Sequence, residues 1–275
     1  MLLAMSCICP PACIMRGGRL LWQVSGDGCS SVCTCETYPC EFSVSASVHL
    51  ASVVSSLAPG ATIVLAGGTR YAGEGSCGWR VASVENGDSR PITIRGAAGT
   101  IVDCDSVSPV VEGAVVGTHL RLEGIHFRNA HRSGGGGGVL RTERGSRVVI
   151  EDCRFSRSSS DQEGGALLVS NSSLLIAGSH FEENTAEYGG ALAIVNGARA
   201  TLRDTTLTQC SAGFFGGAIY VAEAAALILN RVLLSFNDAT SDGGAVGATD
   251  RCTVNVTDSI IANNTGLYLC ANACV

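Results

Sequence analysis

The residues able to do acid–base or metal chemistry are few and widely spread. Asp152, Asp204 and Asp258 recur at a common place, each three residues ahead of a large apolar residue: Phe155, Leu207 and Ile261. A hydrolase of the two-carboxylate kind needs one carboxyl to protonate the leaving group and another to activate water. The intervening members of the series are Gly178 and Arg231. If the repeats stack as strands, successive aspartates lie two repeats, roughly 9.6 Å, apart. That is the far edge of an inverting pair's reach, and turn residues bonded to local backbone are the simpler account. Asp103, Asp105 and Glu123 form a second acidic group, with oxygen ligands of the kind calcium takes. His126 and His180 sit one residue before the apolar position and are expected at the surface, while His119 and His131 fall in no series. Glycines 134–138 are no phosphate loop, since no Gly-Lys-Ser/Thr follows. These groups require no cofactor or metal, and none is expected.

Cysteine is the other reactive side chain. Seven of the 14 lie within the first forty residues: Cys7, Cys9, Cys13, Cys29, Cys33, Cys35 and Cys40. Cys270 and Cys274 lie near the other end. No C-x-x-C pair occurs and no histidine accompanies the first seven, so a small disulfide knot fits better than zinc. Residues 1–43 are therefore read as a Cys-rich segment, either a disulfide knot or a processed leader. Residues 1–15 make a poor signal peptide, with no positive start and Pro10-Pro11 inside the apolar stretch. Cys153 and Cys252 share columns with small residues and, with Cys210, are expected to be free, buried thiols. Three sequons, at Asn171, Asn255 and Asn263, permit glycosylation of a secreted chain.

Composition narrows the classes. Of 275 residues, 35 are glycine and only 15% are charged, which argues against a disordered tail, a coiled coil or a helical bundle. The net charge is −6, and all 18 cations are arginine, so a nucleic-acid partner is not expected. No uncharged apolar stretch reaches the ~18 residues of a membrane-spanning helix, so no transmembrane segment is expected.

A repeat of about 27 residues must position whatever site exists. Gly-Gly pairs begin at residues 137, 164, 189, 216 and 243, at intervals of 27, 25, 27 and 27. The pairs are Gly137-Gly138, Gly164-Gly165, Gly189-Gly190, Gly216-Gly217 and Gly243-Gly244. In phase with them run Phe127, Phe155, Phe181, Leu207, Leu234 and Ile261. Three residues after each comes Ala130, Ser158, Asn184, Cys210, Asn237 or Asn264. Five residues before each comes Leu122, Ile150, Ile176, Leu202, Leu229 or Val256. Short alternating runs bounded by Gly, Ser, Asn and Asp read as strands, three to a repeat, with no room for a helix. The geometry that remains is a single-stranded parallel β-helix, all-β, with coils about 4.8 Å apart. The Phe/Leu/Ile series then points inward, each Asn sits in a turn bonding the next coil, and Gly-Gly relieves crowding at a bend. Residues 44–57 are expected to form an amphipathic helix that caps the first coil. The β-helix domain is placed at 44–275, with regular repeats over 122–264.

Phe181-Glu182-Glu183-Asn184 followed by Gly189-Gly190-Ala191-Leu192 resembles the repeat of the polymorphic outer-membrane proteins. That resemblance implies a right-handed β-helix of the pectin-lyase-like superfamily and a surface-displayed, adhesin-like role. It implies a secreted or cell-surface location, associated with an outer membrane, and an extracellular protein or glycan as ligand. The superfamily also contains polysaccharide lyases and hydrolases, which gives the alternative function. The Asn-Thr-Asp, Asp-Asp, Gly-His-Gly and Arg-Ile-Lys signatures of polygalacturonases are absent. Tyr188 and Tyr220, on adjacent repeats, are too few for an aromatic sugar track. No pair of neighbouring columns is expected to bring two carboxylates and an Arg or His together in consecutive coils. The resulting expectation is a non-enzymatic binding and display module.

Overall fold

The computed structural model describes residues 13–16, 19–22, 41–45, 49–73, 75–81, 83 and 90–267. Most of the Cys-rich segment, the leader reading, Cys270 and Cys274 lie outside the described residues.

Each coil between His119 and Ala248 carries four short strands rather than the expected three. Ser173–Ala177, His180–Glu182, Thr185–Tyr188 and Leu192–Val195 make one complete turn. Stacked on their counterparts in other coils, they build four parallel sheets of nine, eight, six and six strands, taken in that order around the turn. The fourth strand follows each Gly-Gly pair and is fully buried in this coil, which is why it merges with its neighbour when only polarity is read. A separate antiparallel hairpin joins Cys13–Arg16 to Arg19–Trp22.

The register places like on like. On the second sheet Phe127, Phe155, Phe181, Leu207, Leu234 and Ile261 are successive partners in one column. The same column runs back through Val102 to Tyr71. Phe127, Phe155 and Phe181 stack with ring centroids 5.3 and 4.6 Å apart. Ile261 keeps the register but is 41% exposed, because it lies on the last described coil. On the first sheet Leu122, Ile150, Ile176, Leu202 and Leu229 form the second inward column, with Val256 at its exposed end.

The asparagine column reaches back to the preceding coil, and Asn237 Nδ2 also donates forward to Asn264 Oδ1 at 2.9 Å, as expected of the series. Asn184 Oδ1 accepts from Ser158 N, and its Nδ2 donates to Phe155 O, both at 3.0 Å. Asn237 does the same for Cys210 N and Leu207 O, also at 3.0 Å. Asn264 does so for Asn237 N and Leu234 O at 2.9 Å. Each amide thus satisfies a buried donor and a buried acceptor that the bend would otherwise strand. The Gly-Gly pair has a steric origin. Gly189 has φ +65°, and a Cβ there would stand 2.0 Å from Leu192 O; one on Gly190 would stand 2.3 Å from Gly217 O.

The N-terminal part departs from expectation. Glu41–Val44 is a strand, paired in register with Thr62–Leu65 at the edge of the nine-stranded sheet. The helix is a single turn, Leu50–Val54, burying Leu50, Val53 and Val54. Serine and β-branched valine fill most of 44–56, and such residues support helix only weakly. Cys77 and Cys104 form a disulfide across 27 residues, a single coil, with Cα atoms 5.7 Å apart. Cys153 and Cys210 are free and buried, and burial pushes their thiols up to about 12 and about 11. Cys252 is disulfide-bonded, which corrects its expected free state. Small neighbours in a column fix a cysteine's packing but not its redox state.

Phe181 is fully buried between Phe155 and Leu207. Phe181→Ala is expected to destabilise the domain by about 3–5 kcal/mol in denaturant unfolding. A loss below about 1 kcal/mol would place the ring outside the core.

Candidate functional site

The aspartate series proves to be a conformational column. Gly124, Asp152, Gly178, Asp204, Arg231 and Asp258 all have left-handed backbone, with φ between +49° and +64°. They form the tight turn between the first two strands of each coil, where Gly and Asp are among the best-tolerated residues. Asp204 accepts two hydrogen bonds from Arg231, each at 2.7 Å, and both side chains are exposed. No acid pair results. Of the sequons, Asn171 and Asn263 occupy exposed left-handed turns, and Asn255 is exposed on strand Thr253–Thr257.

Two carboxylates do meet an arginine in consecutive coils, contrary to expectation. Glu123 and Glu151 are register partners on the first sheet, and Arg121 bonds both. Arg95 adds a second bond to Glu123, at 2.5 Å. Burial raises the Glu123 carboxyl, but Arg95 and Arg121 outweigh it and hold it low. A general acid needs the opposite, a carboxyl held protonated at working pH. Asp103 is likewise spoken for. It is fully buried and takes hydrogen bonds from Arg70 at 3.0 Å, Asn129 at 2.9 Å and Arg128. Burial pushes its carboxyl up, and these donors, with Asp105 N, overcome that and hold it well below the carboxylate range. The acidic group of Asp103, Asp105 and Glu123 is therefore two separate arginine clasps. Among the described residues no group of His, Cys, Asp and Glu is arranged to hold a metal.

The histidines face outward yet are not freely exposed. His126 is half-buried, with its Nε2 2.7 Å from Ser156 Oγ, and burial together with Arg154 and Arg128 pushes it down to about 4. His180 is lowered by burial and by Arg154. His131 pairs in register with Ser159, and its Nδ1 lies 2.9 Å from that hydroxyl. His119 pairs in register with Arg147.

The corner between the third and fourth sheets holds what sequence reasoning missed. Tyr188, the end of strand Thr185–Tyr188, pairs with Phe215 in the next coil. Tyr220 leaves strand Ile219–Val221, on the other side of a Gly-Gly bend. Tyr188 nevertheless stands 5.2 Å from Tyr220, 5.4 Å from Phe214 and 6.1 Å from Phe215, measured between ring centroids. Outward side chains from two sheets can meet only where the corner is concave. The floor agrees: Leu168, Ala193, Val195 and Ala222 bury themselves on the outer side of the fourth sheet, with Tyr220 packed against them. Phe214 is 46% exposed, so the ring cluster is open to a ligand.

Charged groups edge this corner. Glu163, Tyr188, Phe215 and Asp242 are successive register partners in one column, so a carboxylate stands on each side of the rings. Burial pushes the Glu163 carboxyl up, Glu223 adds to the rise, and Arg141 opposes it. Arg141 Nη2 bonds Glu143 at 2.6 Å, while its Nε is buried without a partner. Tyr220 OH lies 3.1 Å from Thr249 Oγ1. Phe214 stayed hidden because the register shifts between Ala186 and Tyr188, where the next coil holds an extra residue. The signal was available: the repeat lengthens from 25 to 27 residues there. A cavity of about 880 Å³ at the far end, lined by Ala245, Val246, Ile261 and Asn264, is the open mouth of the last described coil.

Stacked four-strand coils define a parallel β-helix protein. Residues 92–231, just over half of the chain, match the family described as "Right handed beta helix region". The chain belongs to that family. Among curated proteins it is 30% identical over 149 residues to the metabotropic glutamate receptor-like protein R of Dictyostelium discoideum. The alignment takes in 54% of this chain and 9% of that protein, so the chain spans under a tenth of the relative's length. Among solved structures, the alginate lyase from Paenibacillus sp. str. FPU-7 is similar at 13% identity and a TM-score of 0.36, covering 84% of this chain and 98% of that one. The fold rests on the strand pairing and the family match, and this superposition carries no argument about activity.

Asp103 gives this account an acid signature. Its folded carboxyl titrates below the unfolded value of about 3.9, so its stabilisation is complete above that pH and is lost as pH falls. Stability measured by urea unfolding between about pH 5 and about pH 2 is expected to fall less steeply in Asp103→Asn than in the parent. Identical slopes would mean that the carboxylate is not held by its arginines.

Proposed function

We propose that this chain is a non-enzymatic binding and display module, secreted or held at a cell surface in adhesin-like fashion, whose aromatic corner takes a glycan. The observation that carries this reading is the open cluster of Tyr188, Phe214, Phe215 and Tyr220 in a concave corner edged by Glu163 and Asp242. Aromatic faces pack on the C–H faces of sugars, and carboxylates at the edge accept hydrogen bonds from hydroxyls, the pattern of apolar walls with a few placed polar groups. The two arginine clasps support a non-enzymatic role, since they lock Asp103 and Glu123 in the ionised form. The disulfide between Cys77 and Cys104 supports an oxidising compartment, and the likeness to outer-membrane repeats supports surface display. An extracellular protein is the other ligand class this surface would suit.

One observation favours the lyase or hydrolase alternative: the half-buried Glu163 carboxyl, raised by burial, has the character of a general acid. Pectate, alginate and hyaluronan are the substrates to assay, with and without calcium. Turnover that disappears in Glu163→Gln would replace the binding reading with an enzymatic one.

The binding reading is tested on a glycan array with the full 275-residue chain. Tyr188→Ala and Phe214→Ala are each expected to weaken any glycan hit about tenfold or more, with little change in Tm. Hits that survive both substitutions undiminished would place the ligand elsewhere.

A further inference from the structure

We infer that the aromatic corner selects a cationic sugar, a glycan carrying free protonated amines, an inference that rests on the glycan-binding reading above. The column order Glu163, Tyr188, Phe215, Asp242 sets two rings between two carboxylates over three coil steps, roughly 14 Å. A site of that length takes an oligosaccharide. Phe214 and Tyr220 present further ring surface beside Tyr188, and ring faces attract an ammonium through their quadrupole.

The charge around the rings is one-sided. Glu163, Asp242 and Glu223 are carboxylates, and Asp250 lies close enough to Tyr220 to act on its phenol. Arg141, the cation whose charge acts on Glu163, is already bonded to Glu143. Among the described residues Glu163 has no ion-pair or hydrogen-bond partner for its side chain, although it is half-buried beside Glu223. A half-buried carboxylate without a counter-ion is costly, and a ligand ammonium supplies the missing charge where a hydroxyl or an acetamide does not. An anionic sugar would meet the same carboxylates as repulsion.

The test is calorimetric titration of the full chain with β-1,4-linked oligomers of glucosamine, N-acetylglucosamine and glucose of equal length. The glucosamine oligomer is expected to bind about tenfold or more tightly than its acetylated counterpart. Glu163→Gln and Asp242→Asn, both nearly isosteric and outward-facing, are expected to bring that ratio within about threefold by weakening the glucosamine oligomer more than the acetylated one. Equal affinities for amine and acetamide would overturn the inference and leave the glycan reading standing. No binding by any of the three oligomers would remove both. A ratio that persists in both variants would also overturn it, because the carboxylates would not be its source. The comparison on the unsubstituted chain decides the matter even if a variant folds poorly.

Discussion

The structure depends on one constraint, the in-register hydrogen bonding of each coil to the next. Parallel strands about 4.8 Å apart leave no freedom to slip, because a one-residue shift would turn every buried side chain outward. The chain meets this constraint with a repeat of about 27 residues, and the repeat converts sequence position into spatial position. Phe155 and Phe181 stack because they are one turn apart, with centroids 4.6 Å apart and planes within 7° of parallel. The asparagine column and the Gly-Gly bends serve the same end. One satisfies backbone groups buried at a turn, and the other removes the Cβ atoms that would hold neighbouring coils apart.

The same geometry decides what kind of chemistry the surface can do. Outward columns bring side chains from successive coils within reach, and the first two sheets use this to pair acids with arginines. Glu123, Glu151 and Asp103 are neutralised where they stand, so those faces are ordered but chemically quiet. The corner between the third and fourth sheets differs because it sets adjacent rings between carboxylates and supplies few cations. Its chemistry is therefore unfinished within the chain, and the proposed ligand would complete it.

Much of the fold was legible in the sequence because its signal is periodic. The columns of Phe181 and Ile176 could be read by counting, as could the steric role of Gly189-Gly190. What escaped was whatever breaks the period. Tyr71 and Val102 belong to the inward column but lie in earlier coils of unequal length. Phe214 sits where its coil gains a residue over the preceding one, so it is out of phase with the coil before it although in phase with the coil after it. The arginine clasps escaped for a different reason: Arg95 and Glu123 are register partners 28 residues apart, but their column continues through Glu151, Ala177 and Arg203 and so repeats no residue type. The fate of Cys252 was not legible at all, since a disulfide depends on reach between segments rather than on column neighbours.

Coil register is the claim on which the corner, its rings and its carboxylates all rest. It can be measured by placing cysteines at Thr201 and Ile228, partners on the outer face of the first sheet, and mapping disulfides after oxidation. Partner positions on adjacent strands fall within the Cα range of about 4.4–6.8 Å that a disulfide spans. The account predicts that Thr201→Cys with Ile228→Cys forms a bridge recovered in a single cross-linked peptide. It also predicts that Thr201→Cys with Leu227→Cys does not, because Leu227 points to the core. Bridging of the second pair in preference to the first would contradict the register, and with it the site.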